Sequence, residues 1–366
     1  MKSNIELYKI AVSYFQGIGP IYTKKLIDQI SDIAHLFEYS PSELERIYNV
    51  NNDVIKKINR KKALMLAQEQ LSFCKEFNYD FLYFNDTNYP YYLKNCPDAP
   101  LVIYVKGSCK LENKKMISIV GTRNCSSYGE SILNDLIPKF KNLENVVLVS
   151  GLAYGVDIHM HRLCIKHNIP NIAVLGHGFD RIYPIQHRLE AQKIIDNGLL
   201  ISEFPYGAKL NKFNFPKRNR IIAGLTMATI VIESKLRGGS LITAHRAFDY
   251  NREVFCYPGN IYQENSKGCN ELIKKDIAKP ILGFDDLLQQ LEWSRNTFWN
   301  EHSMTHFELD DEEKMIVKEI KSSDLISFDA LISKTSLKIQ NLNKLLVQLE
   351  LKGLIHKTYN NHYQML

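Results

Sequence analysis

The sequence predicts an α/β fold with a doubly wound parallel sheet, preceded by a helical domain and followed by a winged helix. Residues 1–78 repeat apolar positions at helical spacing, the middle of the chain alternates short β-branched segments with helix-length stretches, and the C-terminal part places an amphipathic helix before a candidate β-hairpin. These changes in pattern place the domains at 1–78, 79–291 and 308–366. A linker rich in polar and aromatic residues is predicted over 292–307.

The N-terminal domain has apolar residues on one helix face, with Leu7, Ile10 and Tyr14 at helical spacing. Its segment FQGIGPIYTKKLID has the spacing of a helix-hairpin-helix, which we expect within a SAM-like domain. Gly17 and Gly19 would let backbone N–H groups approach a phosphate without a Cβ in the way. The alternative is a tight inter-helical turn that packs a small bundle.

The middle domain contains six apolar segments that are typical of buried strands. They are MISIVG, VVLVSG, IAVLG, GLLISEFP, ATIVIES and REVFCYPG. Most end at Gly or Pro, and helix-length stretches separate them, which is the pattern of a doubly wound sheet. In such a sheet ligands bind at the carboxyl ends of the strands, so the residues that follow each segment are the candidate site.

Two strand-to-helix turns offer glycines at this edge. In ISIVGTRNCSSYGE, Gly121 follows the strand, and the stretch to Gly129 is expected to bring a phosphate to a helix N-terminus, with Arg123 as its clamp. In LVSGLAYGVDIHMH, Gly151 and Gly155 form a second such turn. The alternative is that Gly121 only ends its strand and Arg123 is solvated.

The strongest local signal is the basic segment GAKLNKFNFPKRNRIIAGL. No acidic residue occurs between Glu203 and Glu233. The segment's basic and aromatic residues are Lys209, Lys212, Phe213, Phe215, Lys217, Arg218 and Arg220. Cations neutralise phosphates and aromatic rings stack on bases, so this composition favours a nucleic acid, although a solvated basic loop is the alternative.

A third glycine turn follows the next predicted strand, in ESKLRGGSLITAHRAF. Gly238, Gly239 and Ser240 open a helix and can offer backbone N–H groups and a hydroxyl to a phosphate. The alternative is a plain helix-start turn.

Metal and dinucleotide sites are weakly supported. His159 and His161 stand two apart on a predicted helix and point to different faces, so with Asp157 they make a poor metal site. GHGFDR lacks the third glycine of the dinucleotide fingerprint. We therefore expect no metal and no cofactor.

Eight segments in order resemble the DNA-processing protein A (DprA/Smf) family of natural transformation. They are NYPYYLKNCPDAPLVIYVKG, ISIVGTRNCSSYGE, VSGLAYGVDIHMHRLC, AVLGHGFDRIYP, GLLISEFPYG, FPKRNRIIAGL, RGGSLITAHRA and REVFCYPGN. The resemblance spans Tyr89 to Ile281. It departs at RGGS, where the family commonly has a small polar residue before the final Gly-Ser, which affects the detail of the pocket.

The resemblance implies an extended Rossmann-like domain that binds single-stranded DNA. It also implies a homodimer that displaces single-strand-binding protein, loads the RecA recombinase and so protects incoming DNA, with dimer and recombinase contacts near 269–281. The positions that match the family's DNA-contacting residues are Arg123, Lys217, Arg218, Asn219 and Arg220, with Gly238, Gly239 and Ser240 lining the pocket.

The C-terminal segment predicts three helices and a hairpin. Leu342, Leu345, Leu346 and Leu349 lie on one helix face, and an Asn-Asn turn follows in LIHKTYNNHYQML. Lys338, Asn341 and Lys344 are expected to face outward, where they could touch DNA. The acidic start of the domain, LDDEEK, makes a protein contact or a regulatory role an equal alternative.

Enzymatic function is not expected. Related nucleoside monophosphate hydrolases carry P-G-G-x-G-T and a catalytic glutamate, whereas no glutamate follows Gly239 until Glu253. An oxidoreductase would need the dinucleotide fingerprint after the first strand, and a nuclease would need clustered carboxylates for Mg²⁺. The sequence supplies neither.

Composition fits a reduced, cytoplasmic protein. The chain has 366 residues, a formal net charge of +6 and seven cysteines with no C-x-x-C pair. No stretch approaches the about 18 apolar residues that a membrane span requires, so no membrane association is expected.

Overall fold

Two compact units, Met1–Leu287 and Leu288–Leu366, make up the chain in the computed structural model. The structure describes residues 2–30, 32–293, 310–321, 323, 326–335, 337–351, 354–358 and 362–365. Most of the linker predicted over 292–307 lies outside these residues.

The N-terminal part of the first unit is helical, as predicted. Its helices are α1 (Lys2–Ala11), α2 (Pro20–Gln29), α3 (His35–Glu38), α4 (Pro41–Tyr48), α5 (Asn52–Lys57) and α6 (Arg60–Glu76). Local sequence sets their starts: Ser40 and Glu43 form a capping box at α4, and the side chain of Asn59 accepts the Lys62 N–H at α6. The apolar faces of these helices share a continuous core with the sheet that follows.

The sheet of the first unit has nine strands among the described residues. They are β1 (Asp80–Tyr83), β2 (Val102–Gly107), β3 (Lys115–Val120), β4 (Val146–Ser150), β5 (Asn171–Leu175), β6 (Leu199–Ser202), β7 (Ala228–Val231), β8 (Glu253–Cys256) and β9 (Lys279–Pro280). Their spatial order is β1-β2-β6-β5-β4-β3-β7-β8-β9. All pairings from β6 to β9 are parallel, whereas β1 and β2 add antiparallel strands at one edge.

Helices cover both faces of this sheet. Those that follow the N-terminal helices are α7 (Tyr91–Lys94), α8 (Ser127–Lys139), α9 (Val156–His167), α10 (Arg188–Asn197), α11 (Asn214–Leu225), α12 (Gly239–Asp249), α13 (Lys267–Lys274) and α14 (Phe284–Gln290). The chain runs outward from β3 to β6 on one side and then returns to place β7 on the other side of β3. This reversal makes a topological switch point beside β3, as in a Rossmann-like fold, and it confirms the predicted fold class.

The six predicted strands correspond to β3–β8. The sequence pattern did not indicate strands at β1, β2 and β9. The first two are rich in large aromatic and aliphatic side chains, and the helices of the N-terminal part pack against them.

The second unit contains the predicted winged helix. Its helices are α15 (Asp311–Lys321), α16 (Phe328–Thr335) and α17 (Ile339–Leu351), and its sheet has the order β10 (Ile326–Ser327), β12 (His362–Met365), β11 (Ile355–Thr358). The four leucines predicted to form one face of α17 are all buried, and they pack with Ile316 and Ile320 of α15.

Candidate nucleic-acid interface

A cavity of about 530 Å³ opens at the carboxyl ends of β3, β4 and β7, at the topological switch point. We call it the carboxyl-edge cleft. It is lined by Val120, Gly121, Thr122, Arg123, Ala153, Asp157, Tyr183, Lys212, Phe215, Pro216, Arg218, Asn219, Ile222, Lys235, Arg237, Gly238, Gly239, Ser240, Ile242 and Thr243. The ends of β3, β4 and β7 therefore meet α11 at this cleft. The sequence predicted that the glycine turns and the basic segment would come together in this way.

Gly121 allows the β3, β4 and β7 loops to pack closely. A Cβ at this position would lie 2.5 Å from Val156 Cγ2 and 3.1 Å from the carbonyl oxygen of Glu233. The Thr122 N–H donates to that same carbonyl at 2.8 Å, and the Val156 N–H donates to the Thr122 carbonyl at 3.1 Å. Glycine is needed here for packing, and Arg123, two residues further along, is solvent-exposed and lines the cleft.

The N-terminus of α8 is closed to an external phosphate. Glu233, buried at the end of β7, accepts the Ser126 N–H at 2.9 Å and the Ser126 hydroxyl at 2.6 Å. Its carboxylate occupies the position where an anion would meet the helix dipole. The structure therefore does not offer the open helix start that the sequence predicted here, and phosphate contact at Gly121 and Arg123 stays a prediction.

The turn into α9 is closed in the same way. Asp157 Oδ2 accepts the N–H groups of Gly151 at 3.1 Å and Ala153 at 3.3 Å. Burial raises the pKa of Asp157, and the nearby guanidinium of Arg218 opposes that rise. This carboxylate satisfies the backbone of its own loop.

The N-terminus of α12 is open. Gly238 is its N-cap residue, and a Cβ built on the exposed Gly239 would meet nothing within 4 Å, so a ligand has room to approach the backbone. Ser240 is buried and its hydroxyl donates to Ser234 Oγ at 2.8 Å, so the hydroxyl does not point freely into the cleft. Of the three strand-to-helix turns described at the cleft, this is the one in which no carboxylate of the chain is seen to accept the backbone N–H groups of the turn.

Lys235 and Arg237 stand directly before this open helix start, and both are exposed. Neither was singled out as a site residue. The signal was present, because two cations immediately precede the Gly238-Gly239 pair.

Arg218 forms part of the floor of the cleft and is almost completely buried there. The residue is 4% exposed, and its guanidinium donates to the carbonyl of Gly151 at 2.7 Å and also to that of Val174. A Cβ on Gly151 would lie 2.6 Å from the guanidinium nitrogens, so glycine there makes room for this side chain. Burial lowers the pKa of Arg218 to about 10, which still leaves it charged at neutral pH. The guanidinium contributes positive electrostatic potential to the cleft. Its N–H groups that donate to the two carbonyls are not available to a phosphate.

Arg220 faces away from the cleft. Its guanidinium pairs with the carboxylate of Glu203 and donates to the Asp98 carbonyl, and the side chain is largely buried. The structure does not bring Arg220 together with Arg123, so the predicted row of cations is interrupted at this residue.

Lys217 and Asn219 occupy different sides of α11. Lys217 is 57% exposed, with Nζ 3.7 Å from Glu203 Oε1, and it is not among the residues that line the cleft. Asn219 lines the cleft and donates to the Gly239 carbonyl at 3.3 Å, which ties α11 to the open helix start. DNA contact by either residue stays a prediction.

The two phenylalanines of the basic segment lie in different environments. Phe215 packs over Gly176, where a Cβ would lie 2.9 Å from the ring, and its centroid is 5.5 Å from that of Tyr183. Phe213 is exposed, and Lys212 Nζ lies 5.3 Å from its ring centroid. Phe213 thus keeps a face available to a base.

Gly17 and Gly19 lie in an exposed turn before α2, with a positive φ of 87° at Gly17. This geometry suits a helix-hairpin-helix turn, but neither residue lines the cleft. Lys24 is half-buried, with Nζ 5.3 Å from the Phe84 ring centroid, and burial lowers its pKa. The predicted backbone contact with DNA at this turn stays a prediction.

The histidines considered for a metal are engaged elsewhere. His161 is fully buried with Nδ1 2.7 Å from Asn171 Oδ1, and His159 lies 3.7 Å from Glu130. Within the described parts of the chain, no group of three or more His, Cys, Asp or Glu side chains could hold a metal ion. In the same residues, no helix combines the length and the apolar character needed to cross a membrane.

Comparison with known proteins identifies the family. The family model for DNA recombination-mediator protein A matches residues 80–292, which is more than half of the chain, and that for the DprA winged helix domain matches 301–358. The chain belongs to the DprA/Smf family. It is 33% identical over 297 residues to protein Smf of Synechocystis sp., covering 80% of this chain and 74% of that protein. It is 39% identical over 214 residues to DNA processing protein DprA of Bacillus subtilis, covering 58% and 71%.

Solved structures of DprA proteins support the same family assignment. The X-ray structure of DprA from Streptococcus pneumoniae matches with a TM-score of 0.65 and 34% identity over 78% of this chain and 97% of that one. DNA processing protein A from Helicobacter pylori, whose structure is described for its single-stranded DNA binding mode, matches with a TM-score of 0.53 and 28% identity over 59% and 96%. The chain is therefore a member of a family of DNA-processing and recombination proteins.

The winged helix of this DprA-family chain presents a mixed surface. Lys338 and Lys344 are exposed as predicted, but Asn341 is only partly exposed and donates to Glu312 Oε2 at 2.8 Å. The acidic start of the domain thus contacts α17 directly, which reduces the positive potential of that face.

Proposed function

We propose that this protein binds single-stranded DNA in the carboxyl-edge cleft and catalyses no reaction. The observation that carries the proposal is the single open helix start at Gly238-Gly239, with Arg123, Lys235 and Arg237 placed around the same cleft. Backbone N–H groups at a helix start and cations both bind phosphate, and neither reads a base sequence.

An unpaired strand suits the cleft better than a duplex. Tyr183 and Phe215 line the cleft, and the exposed Phe213 lies beside the lining residue Lys212. A base can stack on such rings only when it is free of a pairing partner. The Helicobacter pylori relative, described for single-stranded DNA binding, supports the same ligand for this chain.

The carboxylates of the cleft favour binding over catalysis. Asp157 and Glu233 are both buried and accept hydrogen bonds from the chain's own backbone. A nuclease needs carboxylates that converge on Mg²⁺, and a hydrolase needs an acid or base that reaches its substrate. Two carboxylates that are already committed to loop packing serve neither role well.

We extend the proposal to the family's wider role in the cytoplasm. The protein would form a homodimer, displace single-strand-binding protein, load the RecA recombinase onto the strand during natural transformation and so protect incoming DNA. Family membership supports these steps. A strand-exchange assay with single-stranded DNA coated by single-strand-binding protein tests loading, and sedimentation equilibrium tests the dimer.

The primary test is the salt dependence of oligo-dT binding. Each phosphate neutralised on a single strand contributes a slope of about −0.7 to the dependence of log K on log salt. Arg123→Ala and Arg237→Ala, at two exposed cations that line the cleft, are each expected to flatten the slope by about that amount. Unchanged slopes would remove both residues from the site. Release of base from nucleotides, with no oligo-dT binding at low salt, would refute the proposed function.

A further inference from the structure

An exposed apolar surface adjoins the carboxyl-edge cleft at the ends of β4 and β5. It consists of Tyr154, from the loop after β4, Tyr183 and Ile185, from the segment between β5 and α10, and Leu189, from the first turn of α10. Leu189 is 69% exposed and Ile185 is 62% exposed. We call these four residues the β4–β5 shelf. Contiguous exposed apolar patches are a feature of binding surfaces, and these side chains come from two segments that contact each other.

The two segments of the shelf are held together. The Tyr154 hydroxyl donates to Gln186 Oε1 at 2.9 Å, and its ring lies edge-on to His187 at 4.9 Å between centroids. His187 is buried, with Nδ1 2.8 Å from the Leu152 carbonyl, so it joins the β4 loop to the start of α10. These contacts hold the shelf in place before any ligand arrives.

The shelf is continuous with the cleft. Tyr183 belongs to both, and Ala153, the neighbour of Tyr154, also lines the cleft. The sheet order β5-β4-β3-β7 places the strand ends in a row, so the shelf at β5 and β4 continues from the phosphate-binding groups at β3 and β7. A DNA strand that is bound across the carboxyl ends of β7 and β3 reaches the shelf if it continues towards the ends of β4 and β5.

The charges around the shelf suit a polyanion. Asp180 pairs with Arg181 at 2.6 Å, and Glu190 pairs with Arg162 at 2.8 Å, so both carboxylates near the shelf are neutralised. Arg188, within the same segment, is exposed. Tyrosine rings and aliphatic side chains bordered by arginines form a stacking surface for bases, with cations for the phosphates between them.

We propose that the β4–β5 shelf is a second subsite for single-stranded DNA, which receives the bases of the strand as it leaves the carboxyl-edge cleft. This inference rests on the proposed function and adds the direction in which the bound strand continues. The cleft holds phosphates through cations and backbone groups, and the shelf holds bases through apolar contact. Binding should therefore strengthen with oligonucleotide length beyond what fills the cleft.

The test is a length series of oligo-dT with wild type and the double variant Tyr154→Ala/Leu189→Ala. We expect equal affinity for the shortest oligonucleotide that binds, and a loss of roughly tenfold for long ones, because removal of stacking contacts weakens binding by about this much. Tyr154→Phe keeps the ring and loses only the hydrogen bond to Gln186, so its affinity should follow that of wild type.

The matched control is Tyr91→Ala/Met65→Ala, which removes one exposed tyrosine and one exposed aliphatic side chain outside both cleft and shelf. It should show the wild-type length dependence. If wild type binds and the shelf variant shows the same length dependence, the shelf proposal is overturned while the proposed function stands. If wild type binds no length, the proposed function itself fails. The molecular mass in solution of the DNA-free protein is also compared. If it is lower for the shelf variant than for wild type, the shelf is a contact between copies of the chain, and the proposal is overturned.

Discussion

Arg218 illustrates how burial decides what a cation can do. Its guanidinium is surrounded by backbone carbonyls at the cleft floor, and the adjacent Lys217 is more than half exposed. A buried donor group that loses its partners carries the full cost of desolvation, whereas an exposed one exchanges them for water. The two neighbours should therefore respond to substitution in different assays.

We predict that Arg218→Met lowers the free energy of unfolding by about 3 kcal/mol, because two buried carbonyls lose their donor. Urea denaturation followed by circular dichroism measures it. Lys217→Met is the matched control and should change stability by less than about 0.5 kcal/mol. Equal losses in the two variants would contradict the assignment of Arg218 to the interior.

His161 predicts a pH dependence of stability. Burial lowers its pKa to about 4, from an ordinary value near 6.5. Between these values the unfolded chain binds a proton that the folded chain does not, so the free energy of unfolding falls as pH drops from about 6.5 towards 4. Burial also lowers the pKa of His177, which adds to the effect.

Urea titrations between pH 7.5 and 5 test this prediction. His161→Gln should flatten the decline, and substitution of the exposed His245 by Gln should leave it unchanged. A decline that is equally steep in His161→Gln would show that this histidine does not carry it.

At the residue scale, the sequence predicted which residue types surround the site but not which of them face it. The glycines were found because each follows an apolar strand. The burial of Arg218 and Arg220 could not be predicted, because their partners at Gly151, Val174 and Glu203 are distant or unremarkable in the sequence.

At the scale of elements, α6 of the N-terminal part holds one end of the loop that carries the basic segment. The side-chain amide of Gln70 donates to the Tyr206 carbonyl at 3.3 Å and accepts the Tyr206 N–H at 2.9 Å. The Tyr206 ring stacks on Phe73 and Phe77 at 4.4 and 4.6 Å between centroids. From there the loop runs to Lys212, which lines the cleft.

We predict that Gln70→Ala loosens this loop and weakens oligo-dT binding several-fold while leaving the salt slope unchanged, because no phosphate contact is removed. Hydrogen exchange measured by mass spectrometry should show faster exchange in peptides covering 204–213. The exposed neighbour Gln68 provides the control, Gln68→Ala, which should match wild type in both measurements. Unaltered exchange in Gln70→Ala would refute the positioning role of α6.

Elements were predictable where their patterns are local. The strands β3–β8 are short apolar runs that end in turns, and α17 has its leucines at helical spacing. Whether a helix start is open was not predictable, since Glu233, which accepts two hydrogen bonds from the N-cap residue Ser126 of α8, lies 107 positions away along the chain.

For the whole molecule, the carboxyl-edge cleft and the β4–β5 shelf both belong to the first unit. Every lining residue lies before Leu287, and so do the helices and strands that position it. We therefore predict that a chain truncated after Trp293 unfolds cooperatively and binds oligo-dT with the salt slope of the full chain. A loss of slope by more than about one unit would assign phosphate contacts to the winged helix or to the segment before it.

The internal capping of α8 by Glu233 bears on competition inside a cell. Nucleoside triphosphates are abundant there and would fill a row of vacant helix starts as readily as a polymer would. Because carboxylates of the chain already accept backbone N–H groups in two of the three turns, a single nucleotide in the cleft would find one open helix start, whereas a polymer would reach further cations along its length. We therefore expect this protein to discriminate between ligands by their length more than by their chemical identity, because of where it has placed its own negative charges.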